Sequence, residues 1–426
     1  MNEVYDVIVI GGGASGMMAA GSAAASGRRV LLLEKNAKLG EKLAITGGAR
    51  CNITNATYNV HAFLKNYGVS GPFLFSPFSQ FGVKSTFEFF EGLGLPLVVQ
   101  ANNRAFPKTE KATDVVKVLM KYLKSGGVEI KTSSPVEKIL HSAGKINGVV
   151  AGGPPSPGAS ARRRITYTAK SYILATGGVS HPETGSTGDG FLWLKELGHT
   201  VKPPTPTIVP LKTSDKWSHM LSGISVDGAK ITFYLDKKKS FFKIGKILFT
   251  HFGLSGPLIL NSAGQVGDLL REGKVTAGID VYPALDAGQL DKKIIELFGV
   301  HKKKQLKNVI KEIVPPGMAP GVLELLEAEK ELHLGGKVQM VPKEHRKIIV
   351  NLLKKLPVTV TGLMGFDKAV VADGGVPLNE IDTRSCRSKI HKNLFITGDL
   401  LHINRPSGGY SLQLCWTTGF VAGSNA

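Results

Sequence analysis

Near the start of the chain, Val7-Ile8-Val9-Ile10 is a run of apolar β-branched residues with no polar alternation, the pattern of a strand buried on both faces of a parallel sheet. It stops at Gly11-Gly12-Gly13-Ala14-Ser15-Gly16 and continues in small residues to Ala25, which predicts a tight turn and a helix lying close on the strand. A second apolar run over 29–33 ends in Glu34, and two later runs, 171–178 and 393–398, also meet glycine. Residues 128–131 read as a short strand, and 136–140 with 148–150 as a hairpin layer. From Val201 the pattern changes. Pro203, Pro204, Pro206 and Pro210 read as a linker, and alternating strands at 229–234, 246–250 and 276–281 predict antiparallel, barrel-like structure. Helical spacing follows over 290–298, 305–314, 322–332 and 343–353, and 358–361 returns to strand.

The first turn carries the chemistry. Gly11 and Gly13 allow a ligand close to the backbone, Gly16 lets the helix rest on the strand, and the free N–H groups at Ala14 and Ser15 face an anion. Glu34, followed by Lys35, stands about 20 residues beyond, where an acid takes a ribose hydroxyl. Strand, turn, helix, second strand and acid together predict a dinucleotide site. The segment 35–55 concentrates glycines and donors, and it reads as a loop that wraps a ligand. At the other end Asp399 closes a strand and can accept from a ligand hydroxyl, while Gly408 and Gly409 open a helix whose N–H groups suit a ligand edge that carries negative charge.

Thr46-Gly47-Gly48-Ala49-Arg50-Cys51-Asn52-Ile53-Thr54-Asn55, placed after that turn, resembles the SGGGRCNxTN motif of the BaiN-like, or aminoacetone-oxidase-family, FAD-binding flavoproteins, with Thr46 for the Ser and Ala49 for the third Gly. Asn103 to Pro107 is similar to the family's GRxFP segment, Gly177 to Gly190 to its GGxSxPxxGSTGDG run, and Thr250 to Pro257 to its THxGxSGP. Gly408-Gly409-Tyr410-Ser411-Leu412-Gln413 is similar to GGYNxQ, and Asp399 stands for the usual Glu. These motifs span nearly the whole chain. The resemblance implies an α/β fold: a Rossmann-like FAD-binding domain of the glutathione-reductase type over 1–200 and 357–426, with a β-barrel-like insertion over 201–283 and a helical subdomain over 284–356. It implies FAD contacts from the first turn, Glu34, Lys35, Lys42, residues 46–48 and 50–52, Val136, Ala175, Thr176, Gly177, Gly398, Asp399 and residues 408–412.

An FAD-dependent oxidoreductase acting on a small or lipid-like organic substrate is the leading expectation, with NAD(P)H as a transient reductant. Arg50 and Arg104 are candidates to hold an anionic or carbonyl substrate, or else to fix the loop and an ion pair. Cys51 is a candidate redox thiol, or an inert buried one. His251 and His181 are candidate proton donors. No spacing supports a metal site or a hydrolytic triad.

With 53 basic and 33 acidic residues the net charge is +20, which raises RNA as an alternative partner and leaves a flavin-binding protein without turnover as a third reading. The clusters 162–164, 237–239 and 302–304 read as separate solvated turns, so nucleic acid is not favoured. Three cysteines without CxxC spacing, no leader pattern and no apolar run of about 18 residues fit a cytoplasmic chain without a membrane span. Oligomeric state is not legible.

Overall fold

The structure is a computed structural model describing residues 4–153, 164–329 and 332–426. The basic positions Arg162 and Arg163 lie outside the described residues. The chain divides into two compact units, Met1–Thr205 with Val370–Ala426, and Pro206–Ala369.

The first unit is built on one sheet. Val4–Ile10 lies between Val30–Leu33 and the strand Arg164–Leu174, parallel to both, with Glu129–Lys131 and Leu394–Ile396 extending the parallel order. The apolar runs are central strands because helices or loops cover both faces; Val7, Ile8, Val9, Leu31 and Leu32 are fully buried. The first half of Arg164–Leu174 leaves this register and pairs antiparallel with Lys145–Gly152, which pairs with Val136–Ser142 as the hairpin layer. The helix Ala14–Ala25 follows the first turn, and the C-terminal helix Tyr410–Asn425 lies against it. Their contact is closer than side chains allow. A Cβ on Gly419 would stand 2.4 Å from the Ser15 carbonyl oxygen, and one on Gly423 would stand 2.2 Å from that of Ala19.

Two readings need correction here. The proline-rich stretch is not a free linker: Lys202–Thr207 is a strand paired with Val371–Gly375. It belongs to a two-stranded sheet, where a residue without an N–H costs only an outward-facing donor. Nor is 35–55 a loop throughout, because Glu41–Ala49 is helical until Thr46, Gly47 and Gly48 break it.

The second unit is a closed six-stranded antiparallel barrel with helices. Its strands run in the order Leu211–Thr213, Gly253–Ser255, Lys238–Thr250, Ser225–Leu235, Val275–Asp280 and Leu356–Leu363, and the last pairs with the first. Ile231, Phe233, Ile247 and Phe249 fill the interior at the alternate positions that a pleated strand turns inward. Four helices, Ala287–Val300, Leu306–Ile313, Ala319–Glu327 and Lys343–Lys354, share this core, the first opened by a reciprocal Asp286–Gln289 cap.

The glycine contact between the two helices makes a prediction against the ordinary sign. Gly→Ala inside a helix normally gains about 1 kcal/mol from propensity, while forcing a methyl into backbone costs about 1–3 kcal/mol or more. At Gly423 the clash wins, so Gly423→Ala lowers the free energy of unfolding, read from the denaturant midpoint. A variant as stable as the parent would contradict this packing.

Candidate dinucleotide site

Four segments of the first unit converge at the ends of its parallel strands. The turn after Val4–Ile10 is shaped by its glycines. Gly11 has φ +104°, and a Cβ there would meet the Ala175 carbonyl oxygen at 2.5 Å; a Cβ on Gly16 would meet the Gly11 oxygen at 1.8 Å. Gly13 differs. Its backbone is extended, φ −80° and ψ −168°, and a Cβ there meets nothing within 4 Å. The turn is thus closed against the protein at Gly11 and Gly16 and open at Gly13, ahead of the start of the helix Ala14–Ala25. Ser15 is held in place from the far strand end, where the Thr397 hydroxyl lies 3.2 Å from its own.

Glu34 is buried beside the turn. Its Oε2 accepts from the Gly12 N–H and its Oε1 from the Asn36 N–H, each at 2.7 Å. Burial pushes this carboxyl above the usual range against those two donors. A carboxylate has about four lone-pair sites, so two remain for a ribose hydroxyl. Lys35 reaches away to Asp189 at 2.8 Å.

The broken helix brings Asn52 to Asn55 against the Gly408–Gly409 turn. Gly409, at φ +100°, presses on the Thr54 carbonyl carbon, 2.3 Å from where a Cβ would be. Thr54 and Thr86 hydroxyls donate to Gln413, and the Trp416 indole N–H donates to the Ile53 carbonyl at 3.0 Å. Gln413 and Trp416, on one face of the C-terminal helix, fix this loop. Gln413 is the last residue of the GGYNxQ-like motif, whereas Trp416, one helical turn beyond it, carries no motif signal. Ala175, Thr176 and Gly177 complete the far side; Thr176 Oγ1 is buried without a hydrogen-bond partner among the described residues.

Asp399 sits in a charge cluster. Arg405 donates to its Oδ1, Lys42 Nζ lies 3.4 Å from its Oδ2, and Lys42 also donates to Ser180 at 2.6 Å. Arg405 is itself buried, with Nε donating to Ser411 Oγ at 3.2 Å and Nη1 to the Ile403 carbonyl at 2.7 Å. Sequence reasoning missed it, since a lone arginine before a proline carries no pattern. Gly398 is tied in by its N–H donating to Thr418 at 3.0 Å. Tyr410 is buried with its carbonyl accepting from Tyr67, Leu412 is half-buried on the same helix, and Val136 pairs with Ala151 at the start of the hairpin layer.

The candidate reactive residues separate. Cys51 is fully buried, and burial pushes its thiol up to about 12, which fits the inert buried thiol rather than the redox one. Arg50 is exposed, 3.4 Å from Glu110 and with its guanidinium 4.6 Å from the centre of Phe106, so its charge is already engaged. Arg104 is half-buried beside Gly408, where its Nε lies 3.9 Å from a would-be Cβ, and no carboxylate pairs with it among the described residues. His181 is bound to Glu183 at 2.8 Å. His251 belongs to the barrel unit, exposed in the turn between two strands. Among the described residues no His, Cys, Asp or Glu group is arranged to hold a metal, and no helix is long and apolar enough to cross a membrane.

Residues 5–425 match the family model described as HI0933-like protein Rossmann domain. The chain belongs to the HI0933-like family. This is the BaiN-like group of Rossmann FAD-binding flavoproteins that the motifs resemble. Among relatives in the family, the 3-dehydro-bile acid delta(4,6)-reductase of Clostridium scindens is 30% identical over 402 residues, 93% of this chain and 92% of the relative. The ribosomal RNA dihydrouridine synthase of Haemophilus influenzae is 24% identical over 99% of this chain and 98% of its own. The fold is also that of a 3-ketosteroid delta1-dehydrogenase from Sterolibacterium denitrificans, with TM-score 0.53 and 15% identity over 99% of this chain and 98% of that one.

The Asp399 cluster predicts a pH dependence. Burial raises this carboxyl, but the charges of Arg405 and Lys42 outweigh it and hold Asp399 below the usual carboxylate range. A carboxyl depressed in the folded state adds stability above its unfolded value, about 3.9, and that stability is lost as pH falls through the folded value. Asp399→Asn leaves Arg405 without its counter-charge and lowers unfolding free energy by about 3 kcal/mol at neutral pH. The gap from the parent closes below about pH 4; a gap that stays constant into acid would show that the carboxylate is not ionised in the cluster.

Proposed function

We propose that this FAD-dependent oxidoreductase is a reductase of carbon–carbon double bonds conjugated to a carbonyl, with FAD held by the four converging segments. The observation that carries the FAD placement is the turn that is closed at Gly11 and Gly16 and open at Gly13. The N–H groups at Ala14 and Ser15 would hold the FAD pyrophosphate there, and Glu34 would take the adenosine ribose. Asp399, with its two cations, and the Gly408–Gly409 turn serve the ribityl and ring end. A buried cluster with one more cation than carboxylate suits the negative charge that a flavin gains on reduction. FAD supplies hydride chemistry when bound; this chain supplies position, charge and exclusion of water.

The substrate class rests on what two relatives' names have in common. A 3-dehydro delta(4,6) bile acid has double bonds in conjugation with a ketone, and dihydrouridine is uridine whose ring double bond, conjugated to a carbonyl, has been reduced. The acceptor carbon in such a bond is electrophilic because charge is drawn to the carbonyl oxygen. Arg104, without a carboxylate partner among the described residues and next to Gly408, would hold that oxygen, a role for which the paired Arg50 is less suited. The reductant is NAD(P)H as a transient donor. The second unit is a barrel rather than a second nucleotide-binding domain, so that donor meets no dedicated fold.

Stopped-flow mixing tests both halves. Protein carrying photoreduced FAD, mixed anaerobically with 2-cyclohexenone, is reoxidised at least about tenfold faster than with cyclohexene or cyclohexanone, a difference of about 1.4 kcal/mol in activation free energy. Equal rates would remove the conjugated-bond reading. Reduction of the oxidised protein by NADH or NADPH is slow, below about one per second, and does not saturate at micromolar donor. Saturation there with tens of turnovers per second would mean a nicotinamide site exists.

A further inference from the structure

The longest pairing in the barrel is the hairpin of Ser225–Leu235 and Lys238–Thr250. Its inward positions are ordinary core. Its outward positions are not, because Phe242 opposite Thr232 is 49% exposed and Ile244 opposite Lys230 is 60% exposed. Lysines surround these apolar groups. Lys230 Nζ lies 4.7 Å and Lys239 Nζ 5.4 Å from the centre of Phe242, and Lys355 Nζ lies 4.6 Å from the centre of Tyr234 in the same outer row. Lys246 has a carboxylate, Asp227, at 3.6 Å; Lys230, Lys238 and Lys239 have none among the described residues.

A solvated face gains nothing from an exposed ring and branched aliphatic, and adjacent ammonium groups without acids repel one another. Lysine stems covering a ring would explain a hidden aromatic, yet Phe242 keeps half its surface open under two lysines. A ring plane and an aliphatic shoulder set among unneutralised cations suit a partner with flat apolar groups strung on a regular anionic backbone. That is the chemistry of an unpaired nucleic acid strand, whose bases stack on aromatic side chains while its phosphates meet lysines. A duplex hides its base planes and offers the ring nothing.

We propose that this outer face of the barrel binds single-stranded nucleic acid, with a base stacked on Phe242 and phosphates on Lys230 and Lys239. The proposal goes beyond the reductase reading and does not depend on it, since flavin content and turnover test the other unit. The experiment is fluorescence anisotropy of a labelled oligouridine of about 15 residues with the whole protein over a salt series. Saturable binding is expected. Phe242→Ala and Phe242→Leu both weaken it by roughly tenfold, because leucine keeps apolar bulk but has no π face. Replacing Lys230 and Lys239 by Gln lowers the slope of log affinity on log salt by about 1.4, at about 0.7 per phosphate on a single strand. The altered side chains face outward, so an unchanged melting temperature certifies each variant. Absence of saturable binding overturns the proposal. So does binding that ignores both Phe242 variants, which would be diffuse attraction to a +20 chain, and so does tighter binding to phosphatidylserine vesicles lost in the same variants, which would assign the face to a membrane.

Discussion

The first unit depends on a backbone-to-backbone contact between two helices from opposite ends of the chain. Gly419 and Gly423 let the C-terminal helix Tyr410–Asn425 rest on the carbonyls of Ser15 and Ala19. Because the helices touch backbone to backbone at Gly419 and Gly423, neither can shift toward the other. Gly13 stands just before one helix and Gly408–Gly409 just before the other, so the same contact that builds the core also sets the distance across the candidate site. Hydrogen bonds follow the packing. Ser22 reaches the Phe420 carbonyl at 3.1 Å, and Thr418 receives the Gly398 N–H.

Charge is distributed within that frame in a way that matches its two ends. Beside the first turn Glu34 is a single carboxyl raised by burial and hydrogen-bonded to two backbone donors. At the other end Asp399 is a carboxyl depressed by two cations, one of them buried. The first arrangement is an acceptor, and the second an electropositive wall. A flavin nucleotide needs both, because its ribose offers hydroxyl donors while its ring takes up negative charge when reduced.

Much of this was legible because the residues that make it have strong local preferences. The parallel strands showed as unbroken apolar β-branched runs, and the barrel showed as alternation at 229–234 and 246–250. The first turn could be read because glycines are needed there for close approach; Gly11 and Gly16 each press on backbone, while Gly13 faces open space. What was not legible depends on chain partners far apart. Arg405 is a site residue only because Asp399 and Ser411 come to it, and Gln413 matters only because Thr54 and Thr86 do. Prolines at 203, 204 and 206 suggested a linker since sequence cannot show that the strand they form has a free edge. The lysines at 237–239 suggested a solvated turn because the aromatic face beside them is assembled by strand register.

The central claim is that the opening at Gly13 is where the cofactor's pyrophosphate lies, and one variant isolates it. Gly13 has an extended backbone that any residue adopts, and beyond its chain neighbours no protein atom lies within 4 Å of a new Cβ, so Gly13→Val fills the opening without that Cβ meeting the fold. The account predicts that this variant is purified colourless, melts close to the parent freed of FAD, and takes up no FAD by titration calorimetry at concentrations that saturate the parent. FAD bound at the parent's stoichiometry and affinity by the folded variant would contradict it.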